Sequence, residues 1–176
     1  MAGDDGGESR HGSREPAGGA AGRGTGREAA GGTGGEASDA GGGQAGGPVT
    51  IIVDGANVVG SRPDGWWRDR AGAAVRLYES LARLAAHGNP GLPAEDLSVV
   101  LVLEGAAKAA VPRIDAEGGG HVRVVAAPGS GDDEIARLAG SRPGRRIVVT
   151  ADRELRRRAE AAGAEVAGPS WLFDQL

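Results

Sequence analysis

The chain has 176 residues, a formal net charge of −4 and no cysteine. The lack of cysteine excludes disulfides and thiolate metal sites and is typical of a cytoplasmic protein. No apolar run approaches the roughly 20 residues of a membrane-spanning helix, so we expect no membrane partner. Residues 1–47 contain seven acidic and four basic residues. Residues 48–176 are therefore close to neutral and offer no broad surface for a polyanion.

Residues 1–47 differ sharply in composition from the rest of the chain. They are rich in glycine and contain no Val, Ile, Leu, Phe, Tyr or Trp. Such a segment buries too little apolar surface to offset the entropy of ordering, so we predict a disordered, flexible tail without chemistry. It also has no apolar stretch of the kind found in secretory signals. Residues 48–176 hold nearly all the apolar side chains, and this length supports one compact domain.

The sequence of the first half of this domain predicts two strands and two helices. A short β-branched run predicts a buried strand at Val49–Asp54. Residues 66–87 predict a helix, because apolar side chains recur on one face at Ala74, Leu77, Leu81, Leu84 and Ala85. A second buried strand is predicted over 97–104, followed by a short helix that ends at Val111 and Pro112.

The second half continues the alternation of strands and helices. It predicts strands at Val122–Ala126, 146–150 and Glu165–Ala167, and helices over 132–138, 153–162 and 171–175. We expect Ser170 to cap the last helical turn. The strands are continuously apolar, which is typical of a parallel sheet covered by helices on both faces. The predicted fold class is therefore a three-layer α/β domain, and its ligands should bind at the carboxyl ends of the strands.

Carboxylates follow the predicted strands. Asp54 ends the first strand, Glu104 ends the second, Asp152 follows the fourth, and Asp132 begins the helix after the third. Each acid has an ordinary structural explanation by itself, because aspartate suits turns and helix N-caps. The acids that follow Asp132 could cap the helix as well as Asp132 itself. Together they would repel one another at one edge of the sheet unless a hard divalent cation neutralised them. All-oxygen sites suit Mg²⁺ or Mn²⁺.

Other phosphate chemistries are poorly supported. The Gly-Ser-Gly segment at 129–131 resembles a phosphate loop only loosely, because the lysine of a Walker motif is missing. The dinucleotide pattern does not follow the first strand, and there is no nucleophile elbow. Ala56 stands where an aspartyl-phosphate phosphatase would have its second aspartate.

Two tryptophans and two arginines lie close together after the first strand. Trp66, Trp67, Arg68 and Arg70 suit the start of a helix with one tryptophan in the core. The alternative places Arg68 or Arg70 beside the acids to bind phosphate, with an indole available for base stacking. The remaining dense basic clusters, which we expect to be solvated faces, are at 145–146 and 156–158.

Short motifs in chain order resemble those of the PIN-like nucleases, most closely the NYN branch and its YacP-like relatives. They are D-G-x-N from Asp54 to Asn57, the acid Glu104, D-x-x-I from Asp132 to Ile135, and T-x-D from Thr150 to Asp152. Glu104 departs from the aspartate that related proteins often have at that place. The resemblance covers most of residues 48–176 and none of the tail.

The resemblance implies a fold and an activity. The fold is a parallel sheet with strand order 3-2-1-4-5, and the activity is metal-dependent endoribonuclease cleavage of RNA, a hydrolase reaction. One or two Mg²⁺ or Mn²⁺ ions would be held by Asp54, Glu104, Asp132 and Asp152. RNA is the implied partner, and some relatives act by docking on a ribosome.

The resemblance also implies roles for neighbouring side chains. Asn57 would orient the metal site or the substrate. Thr150 matches the small hydroxyl residue of the last motif and would contact the substrate. Asp132 is preferred to Asp133 because Ile135 then follows at the spacing of the family.

Two other functions stay open. The main alternative is a non-catalytic RNA- or protein-binding module that kept the PIN-like fold. A weaker one is a phosphoryl hydrolase acting on a small nucleotide. The presence of all four acids favours the enzyme, because a degenerate relative should have lost at least one. The sequence predicts no oligomeric state.

Overall fold

The computed structural model describes residues 47–116 and 120–176. Apart from Gly47, the predicted tail lies outside this range. The strands are β1 Val49–Asp54, β2 Leu97–Leu103, β3 Val122–Ala126, β4 Arg145–Val149 and β5 Glu165–Ala167. The α-helices are α1 Gly55–Gly60, α2 Arg70–His87, α3 Val111–Ala116, α4 Gly131–Ser141, α5 Arg153–Ala161 and α6 Pro169–Gln175. Short 3₁₀ helices are Trp66–Arg68, Ala94–Asp96 and Gly105–Ala110.

The strands form one parallel sheet in the order β3-β2-β1-β4-β5. This confirms the fold class and the strand order. In the central strand β1, Ile52 lies beside Val100 of β2 and Val148 of β4. The chain builds outward from β1 in one direction and then restarts on its other side with β4. The carboxyl ends of β1 and β4 therefore flank a topological switch point, where parallel sheets bind their ligands.

Both faces of the sheet are covered, because successive side chains of a strand point to opposite sides. Ile51 and Val53 belong to a core that includes Leu81 of α2. Ile52 belongs to a second core, on the other face, that includes Ile135 of α4 and Leu155 of α5. Burial of each such side chain contributes about 1.5–3 kcal/mol relative to exposure. Full burial on both faces explains why most of β1 and β2 is apolar.

The predicted helix over 66–87 is interrupted. It consists of the 3₁₀ turn Trp66–Arg68 and the longer α2, which begins at Arg70. Asp69 lies between them with φ at −144°, and its carboxylate accepts a hydrogen bond of 2.7 Å from the backbone N–H of Gly72. An N-cap needs a non-helical backbone, so Asp69 begins a new helix rather than continuing one.

Three other boundaries differ from the predictions. Helix α1 was not expected, because the Asp54-Gly55 sequence suited a turn. The helical segment after β2 continues beyond Pro112 to the end of α3, since proline in the first helical turn interrupts no internal hydrogen bond. Helix α6 begins at Pro169 with Gly168 as its N-cap, so Ser170 is not the cap. Proline suits the first position of a helix because its φ is already helical.

The helices within residues 47–116 and 120–176 include none with both the length and the apolarity to cross a bilayer.

Candidate active site

Four acids lie at the carboxyl edge of the sheet, each from a different element. Asp54 is the last residue of β1 and is only 8 % exposed. Glu104 directly follows β2, and Asp152 precedes α5 after β4; both are exposed. Asp132 lies in the first turn of α4 and is half-buried. The structure therefore brings the predicted acids to one rim beside the switch point between β1 and β4.

Asp54 is held by hydrogen bonds to both carboxylate oxygens. Its Oδ1 accepts from the backbone N–H of Asn57 at 3.1 Å, which caps α1. Its Oδ2 accepts from the hydroxyl of Thr150 at 2.9 Å. Asp54 therefore caps α1 and also belongs to the acidic site. Each of its carboxylate oxygens has a second lone pair that these hydrogen bonds do not use.

The segment after β4 is connected to the segment after β1. The side-chain oxygen of Asn57 accepts from the backbone N–H of Ala151 at 2.8 Å. Thr150 is fully buried, and its hydroxyl also accepts from the backbone N–H of Asp152 at 3.1 Å. This burial favours a positioning role for Thr150 over the predicted contact with substrate. Asp152 in turn caps α5 through a 2.8 Å bond from Leu155 N–H.

Glu104 is positioned by a contact that the sequence does not reveal. Its Oε2 accepts from the backbone N–H of Gly131 at 2.8 Å, at the beginning of α4. A Cβ at residue 131 would lie 2.9 Å from the same oxygen, so a larger residue would displace the Glu104 carboxylate. Lys108 adds a second connection, because its ammonium donates to the carbonyl of Ala127 just after β3. The sequence indicated the contact between Glu104 and Gly131 only through the glycine-rich segment at 129–131.

Asp132 and Asp133 differ clearly in their surroundings. Asp133 has a side chain that is 72 % exposed, and it forms a 2.7 Å ion pair with Arg158 of α5. Asp132 is half-buried, and its pKa is raised by burial first and then by the negative charges of Asp152 and Glu104. Ile135, one turn further along α4, is buried in the core as expected.

The electrostatic field at the rim is unfavourable for carboxylates. The pKa of Asp54 is raised, first by burial and then by the charges of Asp132 and Glu104, although hydrogen bonds from Asn57 and Thr150 oppose the rise. The pKa of Asp132 is raised mainly by burial and then by its acidic neighbours. A raised carboxyl pKa means that folding favours the protonated form. The free energy of unfolding therefore falls as pH rises through the folded-state pKa, and the full penalty is present above it.

The donor set fits Mg²⁺ or Mn²⁺, because it consists of carboxylate oxygens, which these hard cations prefer. Within the part of the chain that the structure describes, no three acidic or histidine side chains already converge on one metal position. Asp54 is fixed in place, whereas Glu104 and Asp152 are exposed. Convergence would thus require rotation of the exposed acids toward Asp54, for which a bound cation would supply the attraction.

The two arginines near the tryptophans have different partners. The Arg70 guanidinium lies 5.3 Å from the ring centre of Trp66, and that of Arg68 lies 5.9 Å from the ring centre of Trp67. Neither indole is in the core, and Trp67 is 54 % exposed. The interpretation with one tryptophan in the core is therefore wrong.

Most of the predicted basic clusters are engaged within the protein. Arg145 forms a two-pronged ion pair with Glu165, and Arg146 donates to backbone carbonyls. Arg157 pairs with Glu154, and Arg158 pairs with Asp133 as described above. These arginines are consequently less available for a nucleic-acid backbone than unpaired arginines would be.

Two cavities border α1. The larger, about 350 Å³, contacts α1, α2 and α6 through residues such as Val58, Leu77 and Phe173 and includes none of the four acids. The smaller, about 140 Å³, is lined by Glu104 and Arg70 among others. We assign the smaller cavity to the site despite its size, because Glu104, one of the four acids, lines it.

A comparison with solved structures supports the observed fold. The structure is similar to the crystal structure of Rae1 (YacP) from Bacillus subtilis, determined for a point mutant of that protein, with a TM-score of 0.51 and 15 % sequence identity. The match covers 72 % of this chain and 72 % of that chain. No family model matches the chain, and no curated protein matches it. At this identity the similarity shows the fold alone, and it agrees with the resemblance drawn from the motifs.

Proposed function

We propose that this protein is a metal-dependent endoribonuclease that hydrolyses RNA phosphodiester bonds at its acidic rim. The observation that carries the proposal is the gathering of four acids from four elements at one edge of the sheet, where their charges contribute to the raised pKa of Asp54 and Asp132. The four acids lie beside the switch point of the sheet, where the electrostatic field disfavours their charged forms. Perturbed carboxylates gathered in this way are typical of functional sites. The motif resemblance and the PIN-like fold point to RNA as the substrate.

The four acids would hold one or two divalent cations. When bound, such a cation supplies a nucleophile from water at accessible pH and neutralises charge that develops on the phosphoryl group. Asp54 provides the fixed carboxylate, because Thr150 and the Asn57 backbone restrain it. Glu104 and Asp152 accept backbone hydrogen bonds at the starts of α4 and α5 and would rotate toward Asp54 when a cation binds. The restraint of Asp54 leaves one carboxylate that needs no reorganisation during the reaction.

Asn57 and Thr150 act as positioning residues in this proposal. Their hydrogen bonds to Ala151 and Asp54 join the carboxyl ends of β1 and β4. Arg70, which lines the smaller cavity together with Glu104, would neutralise a phosphate of the substrate. Arg68 is turned toward the exposed Trp67 and is a less direct candidate for that task. A ribosome-bound RNA is one form in which the substrate could be presented.

A cleavage assay tests the proposal directly. A panel of single-stranded and hairpin RNAs is incubated with the protein in millimolar Mn²⁺ or Mg²⁺, with EDTA as control. We expect internal cleavage that requires the cation, because the acids alone provide no attraction for the phosphate. RNA binding without cleavage in any cation would favour the non-catalytic module instead. Release of phosphate from small nucleotides, with RNA untouched, would favour a phosphoryl hydrolase.

Cation binding should also raise thermal stability. A ligand that binds the folded state stabilises it by mass action, and here it would relieve repulsion among the acids. We expect Mn²⁺ or Mg²⁺ at millimolar concentration to raise the Tm at neutral pH. The rise should shrink as pH falls through the raised pKa values of Asp54 and Asp132, since protonation removes the same repulsion. Differential scanning calorimetry measures the effect, with K⁺ at equal ionic strength as control; equal Tm values in both salts would contradict the metal site.

A further inference from the structure

The smaller cavity lies between α1 and the 3₁₀ helix that follows β2, and its lining is unusual for an acidic rim. Most of it is small or apolar, with Gly55, Ala56, Val59, Trp66, Gly105 and Ala107. Arg70 and Glu104 are the charged residues of the lining. An apolar wall with few polar groups is typical of a site for an organic ligand. At about 140 Å³ it suits a single ring system rather than a larger molecule.

Two glycines of the lining have backbone positions that other residues would not accept. A Cβ at Gly55 would lie 2.7 Å from the carbonyl oxygen of Val102, which is backbone and cannot move aside. Gly105 has φ at +52°, a conformation that other residues rarely adopt. Glycine at position 55 therefore allows α1 to pack directly against β2, and neither residue adds a side chain to the lining.

Trp66 has a restrained position in the wall. Its backbone N–H donates to the Asp64 carboxylate at 3.1 Å, and a Cβ built on Gly60 of α1 would be 3.6 Å from its ring. Trp67 meets it edge-on at 6.3 Å between ring centres, and Arg70 lies 5.3 Å from its ring centre. An indole and a guanidinium so arranged can stack on a flat base and neutralise its phosphate.

We propose that this cavity binds one unpaired nucleobase of the RNA and makes the protein selective for single strands. The inference rests on the proposed function and deepens it. Glu104 belongs both to the cavity and to the acidic rim, so a base bound here belongs to a nucleotide next to the phosphate at the acids. A base in a duplex is paired and stacked and must leave the helix before it can enter, which disfavours double-stranded RNA.

The chain provides matched controls at neighbouring positions. Trp67 and Arg68 have the same chemistry as Trp66 and Arg70, and they form a similar cation–π pair. They do not line the cavity. Trp66→Leu should therefore be compared with Trp67→Leu, and Arg70→Gln with Arg68→Gln. Trp66→Phe keeps an aromatic ring and tests stacking if Trp66→Leu is poorly folded.

Binding is measured in EDTA at low salt, so that cleavage does not interfere. The probe is a fluorescein-labelled single-stranded RNA of mixed sequence, compared with the same RNA annealed to its complement. We expect Trp66→Leu to raise Kd for the single strand about tenfold, the scale of one lost stacking contact. Trp67→Leu should change it less than about twofold, and Trp66→Phe should stay within about threefold of the wild type. The duplex should bind the wild type about tenfold more weakly than the single strand.

A substrate modification tests whether Trp66 contacts a base. RNAs with one abasic residue, placed in turn along the strand, should show one position where the wild type loses about tenfold in affinity. The same modification should cost Trp66→Leu almost nothing, because the two changes remove one contact and are not additive. Arg70→Gln should weaken all these RNAs and reduce the salt dependence of binding, whereas Arg68→Gln should not.

The outcomes separate this inference from the proposed function. Equal losses for Trp66→Leu and Trp67→Leu, or equal affinity for single strand and duplex, would overturn the nucleobase site even if the protein cleaves RNA. A Trp66-dependent, single-strand-selective affinity without cleavage in any divalent cation would uphold the base site and reject the nuclease.

Discussion

Replacing Asp54 with asparagine should abolish metal-dependent RNA cleavage while raising the Tm of the metal-free protein. Asp54 is the most buried of the four acids, and its pKa is raised above the ordinary value of 3.8. At neutral pH the folded state therefore carries a charge that it disfavours relative to the unfolded state. Asparagine removes this charge, which should raise the Tm. It also removes a carboxylate from the proposed site, whose role in catalysis is electrostatic. We expect the cleavage rate to fall about 10³-fold or more.

The fold should accept Asp54→Asn because its hydrogen bonds can be kept. The amide oxygen can replace Oδ1, which accepts from Asn57 N–H and caps α1. The amide nitrogen then meets the Thr150 hydroxyl, which can turn and accept instead of donating. The connection between the carboxyl ends of β1 and β4 is thus preserved. A loss of activity in this variant would reflect the missing charge and not a missing fold.

Calorimetry and a cleavage assay on the same preparations test this expectation. Asp96→Asn is a suitable control, because Asp96 directly precedes β2 and so lies at the opposite edge of the sheet. It should leave the cleavage rate and the response to Mn²⁺ unchanged. Asp54→Asn should show a Tm a few degrees higher than the wild type in EDTA, and a smaller rise on addition of Mn²⁺. A variant that keeps a tenth of the wild-type rate would remove Asp54 from the proposed site.

The strands and the placement of the acids could be predicted because they depend on simple patterns. Val49–Asp54 has the predicted bounds, since this central strand is buried on both faces and its apolar run ends at Asp54. The edge strand Val122–Ala126 also has the predicted bounds, although it is only partly buried. Once a parallel sheet is expected, Asp54 and Glu104 must share one edge, because each follows the carboxyl end of its strand. These inferences need no knowledge of side-chain contacts.

The helix boundaries were harder to predict because side chains decide them. Asp69 divides the expected helix over 66–87 through a single bond to Gly72, and Asp54 begins α1 in the same way. An aspartate in such a place is compatible with a turn, a cap or a continuing helix. Which of these three structures forms depends on the group to which the carboxylate bonds, and the amino-acid composition around the aspartate does not specify that group.

The internal organisation of the site could not be predicted because it joins distant parts of the chain. Asn57 and Ala151 are 94 positions apart, and Glu104 and Gly131 are 27 apart. Neither hydrogen bond has a periodic pattern that would reveal it. The distinction between Trp66 and Trp67 is equally hidden, because adjacent residues of one short helix differ only in direction.

The capping roles and the proposed catalytic role are compatible. Asp54 and Asp152 each satisfy a backbone N–H at the start of a helix, which explains either residue taken by itself. Capping does not explain why the pKa of Asp132 is raised, first by burial and then by the charges of Asp152 and Glu104. The helices instead hold the acids together at a free-energy cost that a cation would offset.

The two adjacent acids of α4 should respond very differently to the same substitution. Consecutive residues of a helix point about 100° apart, so Asp132 and Asp133 cannot face one cation equally. Burial and then the charges of Asp152 and Glu104 raise the pKa of Asp132, whereas Asp133 is mostly exposed and paired with Arg158. Asp132→Asn should lower the cleavage rate by about 10²–10³-fold or more, as expected for the loss of a group that neutralises transition-state charge. Asp133→Asn should lower it about tenfold or less, because it removes only a surface ion pair.

Both variants should remain folded, since neither side chain belongs to the cores that contain Ile135 and Leu155. Rates measured side by side at saturating RNA, together with the Tm in EDTA, separate catalysis from stability. Asp132→Asn should also weaken the Mn²⁺-induced rise in Tm, whereas Asp133→Asn should keep it, because only the former loses a carboxylate of the rim. If Asp133→Asn were inactive and Asp132→Asn active, the metal-facing side of α4 would be rotated by one residue. Asp133 would then have to leave Arg158 to reach the cation, which the 2.7 Å ion pair opposes.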